Sequence, residues 1–378
     1  MNKAPVFPKF FNRDEAKRPL RALIDISAFK HNIQVINEYI GDSGVIVVVK
    51  ADAYGHGLVA LSRSIPDQIL AVAIPDELVV LRDVGINNTV WVMEGFFSLS
   101  CLHHSESVVW VIHSHWQLSL LKQFALTSDV PVSVCLKLDT GMHRLGFAED
   151  QLVGITECLE ALPQVKLIAV MTHFSMSDEP FNQHVHNQIE SFDRMLTQQQ
   201  WSQVKQTLAN SGGICFYAES HRDWVRPGIM LYGGKPSPAV DIPIKLKPVM
   251  CFQSTVIALH HVKQGDVVGY GGLWQADKDS LIATVAVGYA DGYPRHAPNG
   301  TPVAVCTAAD DVEVVSLVGR VSMDMITIDV SSMASVQIGS QVELWGEHVS
   351  VDEVARLSGT IAYDLLTAVS KRVPRIYR

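Results

Sequence analysis

From about residue 24 to about residue 235, short apolar runs rich in β-branched residues alternate with longer amphipathic stretches. The apolar runs are Val45–Val49, Ile69–Ala73, Thr89–Met93, Val109–His113, Val132–Asp139, Leu167–Thr172 and Thr207–Ala209. Between them lie Ile26–Ile40, Asp76–Val84, His115–Leu126 and Asn182–Gln200, which read as amphipathic helices. A strand that is apolar on both sides belongs in a parallel sheet covered on both faces by crossover helices. Roughly eight strand–helix units over about 210 residues fit a (β/α)8 TIM-type barrel, with a doubly wound open sheet as the alternative.

After about residue 240 the long helical patterns stop. Strand runs punctuated by Gly, Asp and Ser follow: Met250–His261, Leu281–Tyr289, Val312–Val318, Met325–Val330 and Gln341–Trp345. KQGD at 263–266 predicts a hairpin loop. SVDE at the start of Ser350–Leu357 predicts a capped helix, with Ser350 at the N-cap and Glu353 closing a capping box. The expected organisation is an N-terminal arm over 1–20, a barrel over 21–245, and a mostly-β C-terminal domain over 246–378.

Composition narrows the partners. A chain of 378 residues that is 48% hydrophobic can bury a large core, and a net charge of −9 argues against a nucleic-acid or anionic-membrane surface. The six cysteines are scattered without a CxxC pair, so no metal site is expected and a reducing, cytoplasmic setting is. The first residues lack an apolar signal core, and no apolar stretch is long enough to span a bilayer.

The chemistry gathers at the ends of the apolar runs. Lys50 closes the first run, inside VVVKADAYGHG. Dry surroundings at a strand mouth lower a lysine pKa, and Schiff-base chemistry with an aldehyde needs such an amine. LKLDTGMHRLGF swings Arg144 over the mouth, where its rigid fork suits a carboxylate or a phenolic oxygen; Lys137 and Asp139 precede it and read most simply as an ion pair. His173 ends another run. ANSGG (209–213) and RPGIMLYGG (226–234) are glycine-punctuated turns whose backbone N–H groups, with the Ser211 hydroxyl, make an anion cradle. In the second domain, VVGYGG, VGYADGYPR and GRVSMDM present Tyr270 and Tyr289 on glycine-flanked loops.

Together these motifs, in this order from about residue 20 to the C-terminus, resemble the alanine racemase family of fold-type III enzymes dependent on pyridoxal 5′-phosphate. The resemblance implies a (β/α)8 barrel followed by a β domain, and the interconversion of L-alanine and D-alanine, supplying D-alanine for peptidoglycan. It makes Lys50 the lysine that carries the cofactor and one of two catalytic bases, with Tyr270 as the opposite base. Tyr54, Ser211, Gly228, Ile229 and Tyr363 match phosphate contacts. Arg226 matches the arginine facing the pyridine nitrogen, and His173 the histidine linking that arginine to the tyrosine base. Arg144 matches the arginine at the cofactor phenol and substrate carboxylate, and Met323 a backbone contact to that carboxylate. Lys137 matches a lysine that is carbamylated in some members. Tyr289, Arg295, Arg320 and Tyr363 match the passage into the site. The family forms head-to-tail homodimers, which implies that Tyr270 and Met323 serve the partner's site.

One departure stands out. Many members have a histidine four residues before the cradle serine, and this chain has Thr207, so Arg226 either loses a partner or gains a hydroxyl. The rival readings are a serine or broad-specificity amino-acid racemase, a decarboxylase, or a non-catalytic pyridoxal-phosphate carrier. A bulky phenol at Tyr363 favours alanine over serine, and the second domain argues against a carrier.

Overall fold

The computed structural model describes residues 18–201, 203–237, 240–306 and 312–378. Of the N-terminal arm expected over 1–20, residues 1–17 lie outside the described residues. The chain divides into two compact units. Phe29–Leu246 forms one, and the described residues up to Ala28 join Lys247–Arg378 in the other.

Strand β1 (Arg21–Ile24) opens the described chain. The first unit is then a closed barrel of parallel strands β2 (Gly44–Val48), β3 (Ile69–Val72), β4 (Val90–Val92), β5 (Val108–Ile112), β6 (Val132–Lys137), β7 (Val165–Met171), β8 (Lys205–Thr207) and β9 (Trp224–Val225). The β2–β9 pairing closes the ring, which settles the barrel against the open sheet. β9 was not visible in the sequence, because two paired residues are too short for an apolar run. The amphipathic stretches are helices: Ile26–Ile40, Pro75–Asp83, His115–Ala125 and Gln183–Gln198, the last capped by the Asn182 side chain on the His184 N–H.

The second unit is a mainly antiparallel sheet of β1 with β10 (Met250–Val262), β13 (Ser280–Val285), β14 (Pro302–Cys306), β15 (Val312–Leu317), β16 (Ile326–Asp329), β17 (Gln341–Trp345) and β18 (Arg375–Tyr377), beside a small pair, β11 (Val267–Val268) and β12 (Trp274–Gln275). The sheet order is β13-β16-β15-β14-β17-β10-β1-β18, and β13 also pairs with β10. β10 serves three neighbours: residues 250–253 pair with β1, residues 252–255 with β17, and residues 256–262 with β13 across an irregularity at Val256/Ala258.

Three expectations differ from the structure. The barrel was expected to begin at residue 21, yet Arg21–Ile24 pairs antiparallel with β10 and parallel with β18 in the second unit. Its burial alternates, as suits a sheet with one wet face, whereas β2 is buried almost throughout. KQGD does turn, with the Asp266 N–H on the Lys263 carbonyl, but it joins β10 to β11, and β11 pairs with β12 rather than with β10. Ser350 caps Val351–Leu357 through the Asp352 N–H, while Glu353 bonds Arg356 one turn on. Among the described residues, no helix is long and apolar enough to cross a membrane.

Candidate active site

Strand register decides which side chains share the barrel mouth. Trp91 on β4 and Trp224 on β9 meet at 5.6 Å although their strands are not neighbours, so both fill the interior. Trp91 pairs with Val109, Val111 with Cys135, and Cys135 with Ala169, while Trp224 pairs with Gly44. Side chains alternate along a strand. Counting in twos from these positions places Lys137 on the inner face at the end of β6, with Met93, His113 and Arg226 one residue beyond the ends of β4, β5 and β9. The charges of Arg226, Lys137, Arg144 and Lys50 all act on His173, which gathers these groups at the same end of the barrel. That end is where barrels carry their chemistry.

Lys50 is followed by an unusual turn. Ala51, Asp52, Ala53 and Tyr54 all have φ between 52° and 54°, a left-handed helical turn made without glycine. Each such residue costs on the order of 1–2 kcal/mol. The turn persists because its neighbours determine it. The Glu77 carboxylate accepts the Ala51 N–H at 2.6 Å and the Ala73 N–H at 2.8 Å, tying the turn to the end of β3. The Asp52 carboxylate accepts the Leu58 N–H at 2.7 Å. Tyr54 stacks on Tyr232 at 4.7 Å, and the Tyr232 hydroxyl donates to the Val48 carbonyl at 2.8 Å. Sequence reading saw the glycines at 55 and 57 and missed both the left-handed turn and Glu77, which lies 26 residues beyond Ala51.

Tyr54, Ser211 and Gly228, the candidate anion cradle, converge. The Gly228 N–H donates to the Ser211 hydroxyl at 2.9 Å. A Cβ at position 228 would lie 2.6 Å from the Tyr54 hydroxyl oxygen, so only glycine lets the backbone approach it. Asn210 caps the short helix Ser211–Phe216 on the Gly213 N–H, and its side-chain oxygen also accepts from Ser177 at 2.7 Å. Ile229 begins the helical turn that follows Gly228.

Cations dominate the mouth. Arg226 is 3% exposed; it donates to the Thr207 hydroxyl at 2.5 Å and to the carbonyls of Thr172 at 2.6 Å and Leu208 at 3.0 Å. Thr207 therefore does supply a hydroxyl to Arg226. Burial lowers the Arg226 pKa to about 10, which still leaves it charged at neutral pH. Lys137 is buried; desolvation first, then the charges of Arg226 and Arg144, bring it to about 8. Desolvation and the Arg144 charge also lower Lys50, partly offset by Glu94 and Glu77. Burial, with Arg226, Lys137, Arg144 and Lys50 around it, holds His173 well below the ordinary histidine range, so it stays neutral.

The simple Lys137–Asp139 ion pair does not form. Asp139 accepts from the Gly141 and His143 N–H groups and pairs with the His143 ring at 3.1 Å, shaping the loop that carries Arg144. Among the described residues, Lys50, Lys137, Arg144 and Arg226 enter no salt bridge. Four cations beside a cradle of hydroxyl and backbone groups suit a phosphorylated, carboxylate-binding site, and the depressed amine of Lys50 suits an aldehyde. Among the described residues, no group of His, Cys, Asp and Glu is arranged to hold a metal ion.

The second unit presents its candidate residues on exposed loops. Tyr270 is 71% exposed on the turn Tyr270–Gly272, and Met323 is 54% exposed. Tyr289 and Arg295 are exposed; Arg320 and Tyr363 are half-buried. The loops of Tyr289 and Met323 are zipped together: the Tyr289 N–H bonds the Ser322 carbonyl at 3.1 Å and the Ala290 N–H the Met323 carbonyl at 3.0 Å. A Cβ at Gly288 would lie 2.3 Å from the Met323 carbonyl oxygen, so glycine is required there.

Comparison with known proteins gives a consistent result. Residues 24–236 match the family described as alanine racemase, N-terminal domain, and residues 249–377 match alanine racemase, C-terminal domain. An alanine racemase of Hahella chejuensis is 41% identical over 95% of this chain and 98% of its own length. One of Haemophilus influenzae is 39% identical over 94% and 98%. The crystal structure of a biosynthetic alanine racemase from Pseudomonas aeruginosa superposes with a TM-score of 0.88 at 38% identity, over 96% of this chain and 100% of that one.

Proposed function

This chain belongs to the alanine racemase family, and on that premise we propose that it interconverts L-alanine and D-alanine in its barrel mouth, with Lys50 and Tyr270 moving the proton. The enzyme depends on pyridoxal 5′-phosphate. When bound, the cofactor supplies the electron sink that acidifies the alanine Cα–H. The cradle of Tyr54, Ser211, Gly228 and Ile229 would hold its phosphate, and Lys50 Nζ its aldehyde end.

Lys50 acts from one face of the substrate Cα. Its lowered pKa places more of the amine in the neutral form that accepts a proton. Tyr270 acts from the other face, so the centre inverts. In the D-to-L direction Lys50 takes the proton and Tyr270 gives one. Arg226 would face the pyridine nitrogen and keep its own proton there, because a pKa near 10 is far above that of a pyridine. By keeping its proton, Arg226 would favour return of the substrate proton to Cα over side reactions. The Arg144 fork grips the substrate carboxylate with the Met323 backbone. Neutral His173 relays the Arg226 charge toward Tyr270. Lys137, near pH 8, has the neutral amine that carbamylation needs, and a carbamate there would steady Arg144. Tyr289, Arg295 and Arg320 line the approach, and the Tyr363 phenol favours alanine over serine.

A head-to-tail homodimer brings Tyr270 and Met323 to the partner's mouth. Exposed Tyr270, Leu273, Met323 and Met325, which a solitary chain would leave in water, support that reading. The product serves peptidoglycan synthesis as D-alanine.

The observation that carries the proposal is the convergence of Lys50, Arg226 and the Tyr54–Ser211–Gly228 cradle at one mouth. Purified protein incubated with L-alanine or L-serine, followed by chiral chromatography, tests it. Fast D-alanine formation, slow D-serine formation and loss of both in Lys50→Ala are expected. A cofactor-loaded protein that inverts neither amino acid sinks the reading and promotes the carrier.

A further inference from the structure

We infer that Arg18 is a positioning residue for substrate binding, because its guanidinium clamps together the two loops that carry Tyr289 and Met323. The inference rests on the proposed roles of those loops. Arg18 Nη1 donates to both Asp291 carboxylate oxygens, at 2.7 and 2.8 Å, and Nη2 donates to the Asp324 carbonyl. Asp291 lies two residues after Tyr289, and Asp324 one residue after Met323. Arg372 makes the same bridge from the other side, with Nε on Asp291 at 2.7 Å and Nη2 on the Asp324 carboxylate at 2.5 Å.

Asp291 is fully buried, and its carboxylate also accepts the Gly288 N–H at 2.8 Å. A buried carboxylate left with too few donors is strongly destabilised, so it holds the guanidinium groups where they are. The clamp acts beside the backbone zipper between the same loops, so losing Arg18 leaves the zipper and the Arg372 bridge to hold them and loosens Tyr289 and Met323 relative to each other. The side-chain bonds of Arg18 to the described residues go to Asp291 and the Asp324 carbonyl, so it acts through the loops and not on the reacting atoms. A lysine at 18 keeps the charge on Asp291 but, as a single point, lacks the second arm on Asp324.

The test is steady-state racemisation by wild type, Arg18→Ala and Arg18→Lys, with cofactor absorbance and amide hydrogen exchange at Tyr289 and Ala290. In Arg18→Ala, KM for alanine rises about tenfold, kcat stays within about threefold and cofactor loading is retained. Exchange at Tyr289 and Ala290 speeds up by about tenfold or more. Arg18→Lys falls between wild type and Arg18→Ala, and it is the deciding variant if the alanine protein does not fold. Unchanged KM and exchange in an active background overturn the inference, as does a loss of kcat and cofactor with KM intact. Absence of racemisation by wild type is a different failure, that of the functional reading, and removes the premise.

Discussion

Arg226 is 3% exposed and held by a hydroxyl and two carbonyls, whereas Tyr270 is 71% exposed on a turn. Both belong to one proposed reaction, but the two units prepare their residues differently. The barrel fixes Lys137, His173 and Arg226 by burial and neighbours, which shifts them away from their ordinary pKa values, while Lys50, exposed at the mouth, is lowered by desolvation and the Arg144 charge. The β-rich unit holds loop backbones firmly and leaves the side chains at their tips in solvent. The difference suggests a division of labour within the proposed reaction: the barrel unit carries most of the proposed cofactor contacts, and the exposed tips of the β-rich unit are the groups that a second chain would cover.

The sharpest way to break this comparison is to remove one base from each unit. Lys50→Ala is expected to lose about 10³-fold or more in kcat together with its covalent hold on the cofactor. Tyr270→Phe is expected to lose about 10²- to 10⁴-fold in kcat while cofactor absorbance stays that of wild type. A Tyr270→Phe protein unable to bind cofactor would erase the division between the units.

Within the barrel, Gly228→Ala places a methyl against the Tyr54 hydroxyl. Overpacking of that kind costs about 1–3 kcal/mol, so cofactor affinity should fall about tenfold to hundredfold in a fluorescence titration. No exposed loop glycine of the β unit should have that effect.

Lys137→Met isolates the cost of the buried cation. The folded pKa of about 8 lies below the ordinary 10.5, so folding disfavours the charged form. Below pH 8 both the folded and the unfolded chain carry the proton, and the full cost is present. Between pH 8 and 10.5 the folded chain sheds its proton first, and the cost fades as pH rises. In urea unfolding of cofactor-free protein, Lys137→Met should therefore be more stable than wild type by about 3 kcal/mol at pH 7 and by clearly less at pH 9. A gain independent of pH would show that packing, not charge, is responsible. Thr207→Val should cost about 1–3 kcal/mol, since it leaves one Arg226 N–H without its acceptor, and the same unfolding experiment reads it.

The barrel was legible because a parallel strand buried on both faces leaves an apolar run, and Lys50, Lys137 and His173 each stand at or beside the end of one. β9 was not, because two residues leave no run, although Arg226 directly follows it. The left-handed turn at Ala51–Tyr54 is invisible to local propensity, since Ala and Tyr there have no preference for positive φ and the compensation comes from Glu77. The clamp of Arg18 and Arg372 on Asp291 is likewise a matter of contacts far apart in the chain. GYADG reads as a loop, and nothing local says that its aspartate is buried. Arg21–Ile24 reads Arg-Ala-Leu-Ile, with no polar–apolar alternation, so its half-buried place in the sheet of the second unit was not legible either.

The most direct test of the division of labour is complementation. Lys50→Ala and Tyr270→Phe proteins, each nearly inactive, are mixed, allowed to exchange subunits, and assayed for alanine racemisation. If Tyr270 serves the partner's barrel, each hybrid dimer regains one intact site, and random mixing restores about a quarter of the wild-type activity. If Tyr270 serves its own barrel, every site in the mixture lacks one base, and activity that stays at the level of the separate mutants would contradict the account.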